Sequence, residues 1–117
     1  SRIQKLKNPL TTYMKALNDL LHNVNIKQIL GAADKTISGI TYDSREVKAG
    51  SMFFAVKGTR VDGHSFIEKV IESGATAIVC ESIPEIATAG VTFIKVDDSS
   101  YSSGIISSNW FGILQKN

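Results

Sequence analysis

The clearest pattern along the chain is a pair of continuous apolar runs separated by a segment with helical spacing. Residues 52–56 (Met-Phe-Phe-Ala-Val) show no alternation, which is typical of a strand covered on both faces. Residues 65–73 carry apolar side chains on one helical face, and Gly74 stands where helices often end in a left-handed residue. Residues 75–80 then predict a second buried strand. A strand–helix–strand unit of this kind predicts that its two strands are parallel.

Weaker patterns precede this unit. Apolar side chains at helical spacing in residues 13–21 predict a short amphipathic helix. A second helical turn is expected over residues 25–31, capped by Asn25 and ended by Gly31. Residues 36–42 alternate between apolar and polar side chains, and they therefore predict a strand.

The C-terminal part adds a strand and a helix. Residues 91–96 predict the strand, and Asp98 or Ser99 can cap a last helix that ends at Gly112. Together these elements predict one α/β domain over residues 14–112. It is a small three-layer fold, in which a mixed sheet of four or five strands carries helices on both faces.

Length and composition agree with a single globular domain. The chain has 117 residues, of which 43% are hydrophobic and 21% are charged. Residues 1–13 are basic and carry no clear pattern, so we interpret them as a flexible leader or a cloning remnant. Residues 113–117 are interpreted as a tail.

Charge and cysteine content argue against several functional classes. The formal charge is only +2 and the 13 Lys and Arg residues are dispersed, whereas a nucleic-acid-binding face needs them clustered. No apolar run approaches the roughly 18 residues that cross a bilayer. The single Cys80 predicts a buried, reduced thiol and fits a cytoplasmic protein. No metal-ligand spacing connects His22, His64 and Cys80, so no metal site is predicted. No nucleophile has a base at a predictable position, so no catalytic residue is predicted.

The first candidate loop is Tyr42-Asp43-Ser44-Arg45, which follows a predicted strand. Its hydroxyl and guanidinium suit a ribose or a phosphate group. The structural alternative is a turn in which Asp43 bonds to local amides and Arg45 is solvated or pairs with Asp43. The residues alone leave both interpretations open.

The second candidate loop runs from Gly58 to Gly63, between the buried strand and the helix. With His64 and Ser65 its spacing matches a phosphate-binding P-loop, except that His64 stands in place of the essential lysine. A largely neutral histidine does not replace that fixed charge, so nucleoside-triphosphate hydrolysis at this loop is rejected. Two interpretations remain: a loop whose glycines and following helix N-terminus approach a ligand, or a tight turn capped by Asp62 or Ser65.

The order of these motifs is more specific than any one of them. The sequence T-Y-D-S-R-x-V-x-x-G-x-M-F-F-A-V-x-G-x-x-x-D-G-H-x-F-I, followed by G-A-T-A-I-V-C-E, resembles the N-terminal domain of MurE-type Mur ligases. The resemblance extends from about Met14 to about Gly112. MurF-type ligases share the layout, but they usually carry a threonine in the first motif and differ in the third.

The resemblance implies a site for the UDP end of UDP-N-acetylmuramoyl-L-alanyl-D-glutamate. By position, Tyr42 and Ser44 match residues that contact the uridine diphosphate end, and Thr59, Arg60 and Val61 match the tripeptide that lines the uracil pocket. The residues expected to shape the two loops are Asp43, Arg45, Gly58, Asp62, Gly63 and His64.

The resemblance also implies partner domains that these 117 residues do not contain. In the family, a central domain binds ATP and Mg²⁺ and a C-terminal domain selects the amino acid. We therefore expect ATP and Mg²⁺ in the full-length ligase, no cofactor in this chain, and no ligation by this chain alone. The alternatives are a MurF-type N-terminal domain, a non-catalytic nucleotide- or phosphate-binding module, a free-standing phosphate-handling enzyme that uses the Gly58 to Ser65 loop, and a scaffold that binds no nucleotide. The missing lysine argues against the enzyme.

Overall fold

The computed structural model describes residues 14–58 and 60–116. The predicted leader (residues 1–13) and Thr59 lie outside the described residues. The strands are β1 (Lys15–Ala16), β2 (Ile26–Leu30), β3 (Thr36–Ile37), β4 (Gly39–Thr41), β5 (Ser51–Phe54), β6 (Ala77–Cys80) and β7 (Thr92–Val96). The α-helices are α1 (Leu17–Leu20), α2 (Ile67–Glu72) and α3 (Ser99–Lys116), and two 3-10 turns span Ser44–Glu46 and Gly63–Phe66.

Five strands form one mixed sheet in the order β2-β7-β6-β5-β4. The β4, β5, β6 and β7 strands run parallel, and β2 joins β7 antiparallel at one edge. The β5-α2-β6 unit is therefore parallel, as the two apolar runs predict. β1 and β3 form a separate two-stranded ribbon.

The sheet is covered on both faces, which confirms the predicted architecture. Every residue of β5 and β6 is buried, as expected of strands between two helical layers. On one face, Leu17 and Leu20 of α1 and Ile106 of α3 pack against alternate residues of the central strands. On the opposite face, Ile67 and Val70 of α2 pack against the other alternate residues of these strands. No helix in residues 14–58 and 60–116 is long and apolar enough to cross a membrane.

The expected helical turn over residues 25–31 is wrong, because this segment is the edge strand β2. Its apolar residues are too few to distinguish a helix turn from a strand, and pairing decides the outcome: Ile26 lies opposite Val96 and Leu30 opposite Phe93. Gly31 ends the strand with a φ of 116°.

Three element boundaries also differ from expectation. The N-terminal helix is a single turn, α1. The alternating segment over residues 36–42 divides into β3 and β4, which belong to different sheets. The last helix does not end at Gly112, since its backbone continues to Lys116.

The segment after the second candidate loop also departs from the predicted helix over residues 65–73. A 3-10 turn occupies Gly63–Phe66, and the α-helix begins only at Ile67. The helix still ends as expected, because Gly74 adopts a φ of 112°.

Candidate functional site

The two candidate loops lie side by side at the carboxyl edge of the sheet. β4 and β5 are parallel neighbours, with Thr41 opposite Phe53, so the segments that follow them emerge at the same edge. Ligands of open α/β sheets bind at this edge. Between the loops is an open cavity of about 600 Å³. Its lining comes from residues 42–45, from Val56, Gly58, Val61 and Gly63, and from Phe66 and Lys69.

The first loop is a turn closed on itself by Asp43. The Asp43 carboxylate accepts hydrogen bonds from the Arg45 backbone N–H at 2.9 Å, from Arg45 Nε at 3.0 Å and from Arg45 Nη2 at 2.9 Å. Thr41 Oγ1 accepts from the Asp43 N–H at 2.9 Å. The loop therefore contains the Asp43 turn and the Asp43–Arg45 pair that the structural alternative predicts, and Ser44 still faces the cavity beside it.

Asp43 and Arg45 form a bidentate ion pair within this turn. Hydrogen bonds from the Arg45 side chain and backbone lower the pKa of Asp43 from 3.8 to about 2. The same carboxylate raises the pKa of Arg45. The Arg45 side chain is 83% exposed, so this ion pair lies at the rim of the cavity rather than within the core.

The second loop is a small hairpin held by its own backbone. The Gly58 N–H donates to Val61 O at 2.9 Å, and the Gly63 N–H donates to Val56 O at 2.8 Å. Gly63 is required by this close approach, because a Cβ there would lie 2.7 Å from Val56 N and 2.9 Å from Val56 O. The hairpin brings Val61 to the cavity with its side chain about half exposed.

Asp62 caps the turn that follows, as the capping interpretation of this loop predicts. Its carboxylate accepts from the His64 N–H at 2.9 Å, and its carbonyl accepts from the Ser65 N–H at 3.0 Å. Hydrogen bonds from the His64 backbone and side chain lower the pKa of Asp62. The N–H groups of Gly63, His64 and Ser65, which a P-loop would offer to a phosphate, thus already donate to protein oxygens. These residues do not fit an ATP phosphate site.

The structure brings only part of the predicted site to the cavity. Tyr42, Ser44 and Val61 line it. Arg60 is exposed and is not part of the lining, and Thr59 lies outside the described residues. Of the predicted loop-shaping residues, Asp43, Arg45, Gly58 and Gly63 also line the cavity, whereas Asp62 and His64 lie outside the lining.

Sequence reasoning missed three lining residues. Val56 follows the buried strand β5, and Phe66 was assigned to the helix face that packs on the core. Lys69 adds a positive charge from α2. Phe66 and Lys69 are three residues apart, a spacing that places side chains on one face of a helix. That spacing was the available signal for this wall of the cavity.

Cys80 and the possible metal ligands of the described residues form no reactive site. Burial raises the pKa of the Cys80 thiol to about 11, so it stays protonated and unreactive at neutral pH. Within residues 14–58 and 60–116, no group of three His, Cys, Asp or Glu side chains could hold a metal ion.

Comparison with known proteins identifies relatives over most of the chain. Residues 36–109 match the sequence model of the Mur ligase family, catalytic domain. A UDP-N-acetylmuramoyl-L-alanyl-D-glutamate–2,6-diaminopimelate ligase from Cytophaga hutchinsonii is 48% identical over 96 residues, which are 81% of this chain and 20% of the relative. A UDP-N-acetylmuramyl-tripeptide synthetase from Borreliella afzelii is 45% identical over 89 residues, 74% of this chain and 18% of the relative. The chain thus spans about a fifth of the length of these curated relatives.

Solved structures agree on the fold. A crystal structure of MurF from Acinetobacter baumannii matches 82% of this chain and 21% of its own length, with a TM-score of 0.68 and 23% identity. MurF ligase from Thermotoga maritima in complex with ADP matches 63% of this chain and 17% of its own, with a TM-score of 0.54 and 31% identity. The resemblance seen in the ordered motifs is confirmed by the family match and by relatives of the MurE type. The chain belongs to the Mur ligase family.

Proposed function

We propose that this domain binds the UDP end of UDP-N-acetylmuramoyl-L-alanyl-D-glutamate for a MurE-type ligase. The observation that carries the proposal is the shared cavity: two loops that are separate in sequence line one space at the carboxyl edge of the sheet. Its volume of about 600 Å³ lies within the usual range for small-molecule sites.

The lining offers each kind of contact that uridine diphosphate needs. Val56, Val61 and Phe66 supply apolar surface for a base. Ser44 supplies a hydroxyl that makes no hydrogen bond within residues 14–58 and 60–116. Lys69 supplies positive charge for a diphosphate, whereas the charge of the Arg45 guanidinium is balanced by the Asp43 carboxylate. A few polar groups placed against an apolar wall are typical of ligand pockets.

The names of the relatives support the same substrate. The Cytophaga hutchinsonii and Borreliella afzelii proteins are named for UDP-N-acetylmuramoyl substrates or products. Because the chain spans about a fifth of each, ligation with ATP and Mg²⁺ is proposed for the parent enzyme and its other domains, in the cytoplasm. The role proposed for this chain is recognition of the nucleotide end.

Calorimetric titration of this chain with UDP tests the proposal. Binding is expected to be weak, because a single open edge encloses little of the ligand. Ser44→Ala should weaken UDP binding about fivefold to tenfold, the usual cost of one hydrogen bond. Ser108→Ala, an exposed serine of α3, is the matched control and should bind UDP like the wild type. No binding at millimolar UDP, or equal losses in the two variants, would refute the proposal.

A second titration separates this function from a general phosphate-binding module. A uridine-specific site should favour UDP over ADP, whereas a site that recognises only the diphosphate should bind both equally. Equal affinity for UDP and ADP would therefore support the module and contradict a uridine-specific site.

A further inference from the structure

His64 connects the second loop to the neighbouring strand. Its Nδ1 lies 2.7 Å from Asp62 Oδ1, within the loop that lines the cavity. Its Nε2 accepts a hydrogen bond of 2.9 Å from the backbone N–H of Glu81, the first residue after β6. The His64 side chain is only 16% exposed and the Asp62 side chain is 48% exposed, so the contact with Glu81 is the more shielded of the two.

The two contacts fix the protonation state of the ring. A backbone N–H can only donate, so Nε2 must be the acceptor and carries no proton. Nδ1 is then the protonated nitrogen, and it donates to the Asp62 carboxylate. His64 therefore acts as a neutral two-ended link rather than as a cation.

Glu81 extends this connection to α3. Its Oε2 accepts from the Ser99 N–H at 2.9 Å and from Ser99 Oγ at 3.1 Å, which caps the first turn of the helix. Lys57, the residue before the second loop, lies with its Nζ 3.7 Å from Glu81 Oε1. The charged groups around the link are thus Asp62, Glu81 and Lys57. The ring bridges the second loop to Glu81 at the end of β6, and the Glu81 side chain continues the link to the start of α3.

We propose that His64 is a positioning residue for the nucleotide site. It does not line the cavity, but it holds the hairpin that presents Val61 by anchoring Asp62 to the Glu81 backbone. The inference rests on the proposed function for its effect on UDP. The link itself is a property of the ligand-free chain, and it can be tested without ligand.

Two amide variants separate the two ends of the ring. Asn places its terminal group near the position of Nδ1, so His64→Asn can keep the contact with Asp62 but cannot reach Glu81. Gln extends about as far as Nε2, so the carbonyl oxygen of His64→Gln can accept from the Glu81 N–H. If the link positions the loop, UDP affinity should fall about fivefold to tenfold in His64→Asn and should be largely retained in His64→Gln. His22→Gln, at the exposed second histidine, is the matched control.

Ligand-free measurements on the same proteins provide a readout that does not depend on UDP. Nitrogen-15 spectra of the wild-type ring should show an unprotonated Nε2 and a protonated Nδ1 in His64. Hydrogen exchange at the Glu81 and Gly63 amides should accelerate in His64→Asn but not in His64→Gln. If the variants do not fold, the ring spectrum of the wild type still decides the protonation state.

The possible outcomes are distinct. A protonated Nε2, or equal UDP affinity and equal amide exchange in the Asn and Gln variants, overturns the role of His64. Failure of the wild-type chain to bind UDP refutes the proposed function, and the amide exchange then decides whether His64 holds the loop. Loss of affinity in His64→Asn with retention in His64→Gln supports both.

Discussion

The two loops of the site are built in different ways. The first loop is closed by Asp43 and Arg45, which are two residues apart, and its hydrogen bonds are local. The second loop is closed locally by Gly58 and Gly63 but is also connected through His64 to Glu81, 17 residues further along the chain. One wall of the cavity is therefore a self-contained turn, whereas the other depends on the packing of the whole domain.

This difference predicts how each wall responds to change. A substitution in the first loop should perturb only that turn, since the main hydrogen-bond partners of the loop lie within it. Damage to the second loop should spread to the end of β6 and to the start of α3, because Glu81 contacts both His64 and Ser99. Substitutions in the second loop should therefore change both the free energy of unfolding and the affinity for UDP. Substitutions in the first loop can change the affinity for UDP alone.

The largest effect is expected at Gly63. A Cβ there would approach the Val56 backbone at 2.7 Å, and backbone atoms cannot move aside as a flexible side chain can. Gly63→Ala should lower the free energy of unfolding by about 2 kcal/mol, a typical cost of overpacking. Urea denaturation measures this change.

Gly104→Ala provides the control for that substitution. Gly104 lies within α3 and a Cβ there meets nothing within 4 Å, so alanine should raise stability by about 0.5–1 kcal/mol through its higher helix propensity. If Gly63→Ala is as harmless as Gly104→Ala, the hairpin does not depend on the close approach to Val56.

A smaller effect, on amide hydrogen exchange, should distinguish Asp62 in the second loop from Asp43 in the first. Asp62→Ala removes the cap of the 3-10 turn and the partner of the His64 ring, so hydrogen exchange should accelerate at His64 and at Glu81. Asp43→Ala should accelerate exchange only near Arg45 and Glu46. Accelerated exchange at Glu81 in Asp43→Ala would contradict the independence of the first loop.

The smallest effect concerns pH. The pKa of Asp43 is lowered from 3.8 to about 2 in the folded chain, so its contribution to the turn is complete above pH 3.8 and is lost as the pH falls through about 2. The Arg45 amide signal should report a midpoint near pH 2. The transition should be absent in Asp43→Asn. A midpoint near 3.8 in the wild type would show that the Asp43–Arg45 pair is not formed in solution.

The same contrast explains what could be predicted from the sequence. The buried strands β5 and β6 and the turn at Asp43 were predictable, because continuous apolar runs and an Asp two residues before an Arg act through near neighbours. β2 was assigned wrongly because a strand edge depends on its partner, which lies about 65 residues away in β7. The link between His64 and Glu81 depends on tertiary packing, since the two residues are 17 positions apart, and it has no local signature.

The most direct test of the central claim is a titration of the isotopically labelled chain with UDP, followed through its backbone amides. If the two loops form one site, Ser44 in the first loop and Val61 in the second should shift together and give the same dissociation constant. The Tyr101 amide in α3, which lies outside the cavity, should not move. Shifts confined to one loop, different constants for the two loops, or no shift at millimolar UDP would contradict the account.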